Sequence, residues 1–116
     1  MRRERQESAS LGTLDPRFRP YAERFILMLG YNGFHTQLTS TRRSKKFQRY
    51  LYREYVAGRR TLPAAPPGHS MHELGLAFDL IVTPEAGQPL AGQAWERLGG
   101  RWGGSRDPVH FEARVR

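Results

Sequence analysis

The sequence predicts an α+β fold in which a small antiparallel sheet is flanked by helices. Helical and strand-like segments alternate along the chain, and the connections between them are irregular in length and composition. The chain has 116 residues, of which 38% are hydrophobic, which is enough for one core and too short for a second independent domain. We expect a mobile basic arm over residues 1–14 and a single folded domain over residues 15–116.

The first half of the chain predicts helix, strand and helix in that order. A helix over residues 18–29 has proline available for its first turn, at Pro16 or Pro20, and Gly30 as its stop. Residues 34–39 alternate with period two and include aromatic and β-branched side chains, which is typical of a strand. Ser44 is a suitable N-cap for a second helix that ends at Gly58.

The second half begins with a loop, because residues 58–71 contain three prolines and two glycines. Residues 76–82 form an apolar run of strand length, and Leu90 to Leu98 predict a short helix that Gly99 ends. A glycine-rich connection over residues 99–105 then leads to a last strand over residues 108–115.

Composition narrows the classes of function. The absence of cysteine excludes disulfides, thiol nucleophiles and thiolate metal sites. The net charge of +8 favours an anionic partner, which is a nucleic acid, a wall polymer or an acidic membrane surface. Residues 42–60 hold eight basic residues and one acid, an arrangement that we interpret as a solvated helix face rather than a nucleic-acid site. No apolar run approaches the roughly 20 residues that a transmembrane helix needs, and the N-terminus has no signal-peptide pattern.

Asp79 is the anomaly of the apolar run over residues 76–82. An ionised carboxylate in such a strand costs several kcal/mol unless a cation or a set of donors compensates it. His72 lies seven residues upstream, and His110 lies in the last predicted strand, on the same face as Glu112. Two imidazoles and one carboxylate make a reasonable ligand set for zinc, with a fourth position left for water. The other zinc motif, His-Glu-x-x-His, fails because position 76 is leucine.

Three blocks of the sequence resemble a known family. The first runs from Gly68 to Leu80 and is similar to the signature Ser-x-His-x-x-Gly-x-Ala-x-Asp of the zinc D-alanyl-D-alanine carboxypeptidases and L-alanyl-D-glutamate endopeptidases. This family includes vancomycin-resistance enzymes and phage endolysins. The second block, from Trp102 to Glu112, resembles the family's Trp-Gly-Gly followed by acid-x-x-His. The third, from Thr41 to Tyr52, resembles its Arg-Ser-x-x-x-Gln-x-x-Leu-Tyr element, and the blocks together cover about residues 17–114.

The resemblance implies a hedgehog/DD-peptidase-like fold and a role for each of seven residues. It implies that His72, Asp79 and His110 hold one zinc ion per chain. It also implies that Asp107 acts as catalytic acid or base and that Arg43 helps to bind the reacting carbonyl. The residues implied to contact substrate are Ser70 and Trp102. The segment between Trp102 and Asp107 is shorter than in many family members, and no wall-binding module is attached.

The expected function is therefore a zinc metallopeptidase that hydrolyses an amide bond of the peptidoglycan stem peptide. Either the L-Ala-D-Glu bond or the bond to a terminal D-Ala is the target, and the lack of a signal peptide favours an endolysin-like enzyme that is made in the cytoplasm and acts on the wall after release. The excess positive charge favours contact with anionic envelope polymers, and we expect a monomer. The alternatives are a non-catalytic zinc domain that binds wall or a partner protein and, with support from charge alone, a nucleic-acid-binding module.

Overall fold

A computed structural model describes residues 7–114 as three α-helices, four strands and three short 3-10 helices. The α-helices are α1 (Arg19–Tyr31), α2 (Lys45–Val56) and α3 (Gly87–Arg97), and the strands are β1 (His35–Ser40), β2 (Ala77–Thr83), β3 (Arg101–Trp102) and β4 (His110–Glu112). The strands form one sheet in the order β1-β2-β4-β3, and every neighbouring pair is antiparallel. This confirms the predicted α+β class. None of the helices among residues 7–114 has the length and apolar character needed to cross a bilayer.

The two faces of the sheet have different contents. Phe78 in β2 and Phe111 in β4 lie opposite each other in register, with their rings parallel and 5.4 Å apart, and both are fully buried. Phe25 from α1 and Trp95 from α3 pack on this pair and complete the centre of the core. Because successive side chains of a strand point to opposite faces, Asp79 projects from the face that does not carry the aromatic core.

The end of β1 changes the direction of the chain towards that second face. A bulge in the pairing lets Leu38 face Leu80 while Ser40 faces Asp79, so that one extra residue, Thr39, is accommodated in β1. The Thr39 hydroxyl donates to the Asp79 carbonyl at 3.4 Å. The bulge therefore delivers the segment after β1 next to the carboxylate that the sequence marked as anomalous.

Several predicted boundaries are corrected by the structure. The first helix continues past Gly30 to Tyr31, and the third begins at Gly87 rather than Leu90, because Pro89 lies in its first turn, where a backbone N–H is not needed. The predicted glycine-rich connection over residues 99–105 contains β3, which pairs with β4. The last strand is confined to His110–Glu112, and residues 115–116 lie outside the described residues.

The packed region begins before residue 15. Leu14 is buried in the core, a 3-10 helix covers Leu11–Thr13, and the Ser10 amide donates to the Thr41 hydroxyl at 3.0 Å. The carboxylate of Glu7 accepts hydrogen bonds from the backbone and the hydroxyl of Ser44, the residue that caps α2. The rest of the predicted arm, residues 1–6, lies outside the described residues.

Candidate metal centre

Strand register and a short helix bring the three predicted ligands together. Asp79 of β2 pairs directly with His110 of β4, and the Oδ1 atom of Asp79 is 3.4 Å from Nδ1 of His110. His72 lies in a 3-10 helix over Met71–Leu74, and its Nε2 is 3.1 Å from the same carboxylate oxygen. One ligand atom from each residue lies within 4.8 Å of the other two. Among the described residues, this is the one cluster of at least three His, Cys, Asp or Glu side chains with such a geometry.

The hydrogen bonds behind the two imidazoles fix which nitrogen is free to ligate. Nδ1 of His72 is 2.7 Å from the carbonyl oxygen of Thr41, which can only accept, so Nδ1 carries the hydrogen of the neutral ring. Nε2 of His110 is 2.6 Å from the carboxylate of Glu112, which places the hydrogen of that ring on Nε2. When both rings are neutral, as ligation of a metal requires, their remaining nitrogens face the same oxygen of Asp79. The three ligand atoms converge on one point, and two imidazoles with one carboxylate fit zinc.

Arg43 binds the other carboxylate oxygen of Asp79. Its Nη2 donates to Oδ2 at 2.9 Å, its Nε donates to the hydroxyl of Ser40 at 2.9 Å, and its Nη1 donates to the side-chain oxygen of Gln48 at 3.2 Å. Gln48 in α2 is itself held by a bond from its amide nitrogen to the carbonyl of Ala65. The guanidinium is buried, and three of its N–H groups are engaged by the protein. Arg43 therefore orients Asp79 so that Oδ1 points to the histidines.

Burial and charge act on the acid-base groups of this cluster in opposite directions. Burial alone would raise the pKa of Asp79, yet its contacts with His110 and His72 and the charge of Arg43 lower it below the ordinary range. Burial lowers the pKa of His72, and contact with Asp79 only partly offsets this effect. For His110, contacts with Asp79 and Glu112 outweigh burial and raise the pKa to about 9 when no metal is bound.

A cavity of about 270 Å³ opens over the three ligands and is lined by Asp107 and Arg43 as well. Burial raises the pKa of Asp107, although the nearby His110 partly opposes that shift. Within residues 7–114, no side chain forms a hydrogen bond or an ion pair with the Asp107 carboxylate. Its backbone turn is close against Gly103, where a side chain would collide with the Asp107 carbonyl. The carboxylate is thus held at the cavity without being neutralised by a neighbour.

The two predicted substrate residues lie in different places. Ser70 lines the cavity, and its hydroxyl accepts from the His72 amide at 3.2 Å as the cap of the 3-10 helix. Trp102 is not brought to this cavity. Its ring packs against Gly92 of α3 and the core, and its Nε1 donates to the Pro108 carbonyl at 2.7 Å. The structure therefore gives Trp102 a structural position, in which it anchors the turn that follows Asp107.

Three residues that matter to the site received no role from the sequence. Glu112 orients His110, and its place two residues further along the same strand was the available signal. Gln88 of α3 donates to the carbonyls of Leu80 and Pro108, so it ties β2, which carries Asp79, to the Asp107 turn. Arg60, in the loop after α2, lines the cavity. Nothing local in the sequence distinguishes Gln88 or Arg60 from surface residues.

The fold agrees with comparisons against known proteins. Residues 12–102 match the VanY family, described as D-alanyl-D-alanine carboxypeptidase, so the chain belongs to this family of peptidoglycan peptidases. No curated protein matches the sequence. The matched region ends before Asp107 and His110, so the assignment of those two residues depends on the geometry described above.

Several solved structures share the fold. One is the vancomycin-resistance D,D-pentapeptidase VanY from a VanB-type cassette, a variant in complex with Zn(II), with a TM-score of 0.69 and 21% identity over 86% of this chain and 72% of that one. A second is an LD-carboxypeptidase, LdcB, with a TM-score of 0.66 and 24% identity over 85% of this chain and 64% of that one. DacB from Streptococcus pneumoniae has a TM-score of 0.63 and 25% identity over 87% of this chain and 66% of that one.

Proposed function

We propose that the chain is a zinc-dependent peptidase that hydrolyses an amide bond in the stem peptide of peptidoglycan. The observation that carries the proposal is the convergence of ligand atoms from His72, Asp79 and His110 in a cavity that Asp107 and Arg43 also line. Membership of the VanY family and the Zn(II) complex of a structural relative support both the reaction class and the metal.

Asp107 and Arg43 each have a part in this reaction. A zinc ion in such a site supplies a water of lowered pKa and polarises the scissile carbonyl. Asp107 accepts the proton of the attacking water and returns it to the leaving amine, which is why an unpaired carboxylate is needed at this position. Arg43 holds Asp79 in its ligating orientation and offers its remaining N–H groups to the carbonyl oxygen, where negative charge develops.

The family match favours the bond to a terminal D-alanine as the scissile bond. The relative VanYB has been solved in complex with D-alanine-D-alanine, which supports the same choice. Cleavage between L-Ala and D-Glu, with an endolysin-like role, is the second candidate, and it rests on the motifs of the sequence. In either case the net charge of +8 favours a salt-sensitive contact with anionic envelope polymers.

A non-catalytic zinc domain is the alternative from another class. Such a domain does not need a free carboxylate or a buried guanidinium beside the metal ligands, and this chain has both. We therefore favour an enzyme.

Mass spectrometry of stem peptides after digestion tests the proposal. Purified sacculi and a synthetic pentapeptide are incubated with the zinc-loaded protein. Release of free D-alanine supports the carboxypeptidase, whereas new amino termini at D-Glu without free D-alanine support the endopeptidase. If zinc-replete protein cleaves no stem-peptide bond, the peptidase proposal is wrong.

A further inference from the structure

The cavity over the metal ligands contains a second cation with a different environment from Arg43. Arg60 lies in the loop that follows α2, is half-buried, and lines the same cavity as Asp107 and the ligands. Its backbone amide donates to the Glu54 carbonyl at 3.2 Å, at the end of α2, so the position of the residue is fixed by the helix terminus. Arg60 is therefore built into the wall of the cavity.

The guanidinium of Arg60 is free to bind an anion. Its Nε donates to the carbonyl of Leu62 at 3.1 Å, which sets the plane of the group. Among residues 7–114, no carboxylate forms an ion pair with Arg60, and no side chain or carbonyl accepts from its two Nη atoms. Arg43, by contrast, already donates from all three of its nitrogens. Of these two arginines, Arg60 is the one whose paired terminal N–H groups remain available for the planar, two-point contact that a carboxylate prefers.

The charge of Arg60 also affects the pKa values of Asp107 and Arg43. Its positive charge lowers the pKa of Asp107 and of Arg43, while burial remains the largest influence on both. Because Arg60 and Asp107 line the same cavity, an anion bound at Arg60 would share that cavity with the carboxylate proposed to move protons.

The overall charge of the cavity favours an anionic substrate as well. Its lining contains three carboxylates, from Asp79, Asp107 and Glu112, and two guanidinium groups. With neutral histidines as ligands, a divalent metal leaves one positive charge in excess. A substrate carboxylate would neutralise that excess within a partly dehydrated site, where charge-assisted hydrogen bonds are stronger than in water.

We propose that Arg60 determines specificity by binding a free carboxylate of the substrate beside the scissile amide. This inference rests on the proposed peptidase function and narrows its substrate to peptides that carry such a group. A free carboxylate of this kind lies beside each of the two candidate scissile bonds: the carboxylate of a terminal D-alanine and the α-carboxylate of D-Glu.

Kinetics on paired peptides test this role. One pair ends in D-Ala-D-Ala with a free or an amidated C-terminus, and the other pair contains D-Glu with a free or an amidated α-carboxylate. Zinc-loaded wild type should lose about 10- to 100-fold in kcat/KM, mainly through KM, when the carboxylate that Arg60 binds is amidated. The pair in which this loss occurs identifies the source of the carboxylate.

The variants Arg60→Gln and Arg60→Ala should cleave the free and amidated forms of that pair with equal kcat/KM. That value should match the lower one, which wild type shows for the amidated form. Arg59→Ala is the matched control, because Arg59 is an exposed neighbour that pairs with Glu54, and it should discriminate like wild type. Zinc content and melting temperature verify that each variant is folded, and the glutamine variant retains a donor for the Leu62 carbonyl.

Two results would overturn the inference. If wild type cleaves peptides but the Arg60 variants retain its preference for the free carboxylate, Arg60 does not bind it, and the peptidase function stands. If wild type cleaves no member of either pair, the proposed function fails and this inference fails with it.

Discussion

At the scale of single residues, the site depends on the directions in which hydrogens point. Thr41 and Glu112 each accept a hydrogen from the rear of an imidazole and so turn the other nitrogen of that ring toward Asp79. The sequence predicted the three proposed ligands because an aspartate in an apolar strand needs compensation. It did not identify Thr41, whose contribution is a backbone carbonyl that every residue type provides.

Asp107→Asn should retain zinc and lose most of the peptidase activity. The amide cannot accept the proton of the attacking water, and general acid or base groups typically contribute about 10²- to 10⁴-fold in rate. Elemental analysis measures the metal, and turnover of a stem peptide measures the loss. Glu85→Gln changes an exposed carboxylate that does not line the cavity; it is the control and should behave like wild type. Loss of zinc from the Asp107 variant would instead make Asp107 a ligand.

Glu112→Ala should weaken zinc binding. Without the carboxylate, His110 loses the partner that fixes its ring and raises the basicity of its ligating nitrogen, and such changes typically cost about 10- to 100-fold in metal affinity. Competition with a chromogenic chelator measures the dissociation constant. Glu112→Gln can still accept from the ring and should lose less than the alanine variant. An unchanged affinity in both variants would show that Glu112 does not support the metal.

Arg43→Ala should destabilise the metal-free protein and reduce turnover. Removing the guanidinium leaves the buried carboxylate of Asp79 without its cation, and breaking a buried pair typically costs about 3–5 kcal/mol. Urea unfolding of chelator-treated protein measures this loss, and a zinc-loaded sample should recover part of it. Arg42→Ala changes an exposed neighbour and should have little effect. Equal effects of the two substitutions would contradict the assignment of Arg43.

At the scale of elements, the sequence predicted segments with strong periodicity and missed those that exist through pairing alone. Helix α2 follows its predicted N-cap at Ser44, and β2 follows its apolar run within one residue. Strand β3 has only two residues in a glycine-rich stretch, and it is a strand because Trp102 pairs with Phe111. No local pattern encodes such a partner, so this part of the fold was not predictable from the sequence.

Gly92→Ala tests the contact between α3 and β3. A methyl group at position 92 would collide with the ring of Trp102, which is held by its bond to Pro108 and cannot move freely. We expect a loss of about 1–3 kcal/mol in the free energy of unfolding, because overpacking typically costs this amount. Since Trp102 anchors the turn after Asp107, activity should fall as well.

Gly30→Ala is the control for that substitution. Gly30 lies in α1 with no atom within contact distance of an added methyl group, so alanine should be neutral or stabilise the helix by up to about 1 kcal/mol. Thermal unfolding of both variants measures the difference. If the two glycine variants melt at the same temperature, the close packing of α3 on Trp102 does not contribute to stability.

At the scale of the whole molecule, the two faces of the sheet are stabilised by different interactions. The aromatic cluster around Phe78 and Phe111 fills one face through hydrophobic burial, whereas the opposite face holds the cluster of His72, Asp79 and His110. Residues 70–75 and 41–43 are joined to that second face mainly by hydrogen bonds that converge on His72 and Arg43. The stability of this half of the domain should therefore depend on metal.

Removal of metal should lower the melting temperature of the wild-type chain by more than about 10 °C. A ligand at 1,000 times its Kd stabilises the folded state by about 4 kcal/mol, and each kcal/mol moves the melting temperature of a domain of about this size by about 4 °C. Differential scanning calorimetry with added zinc and with a chelator measures the shift. His72→Ala removes one ligand, so its melting temperature should respond much less to the chelator. If chelation leaves the wild-type melting temperature unchanged, the convergence of His72, Asp79 and His110 is held by hydrogen bonds alone and is not a metal site.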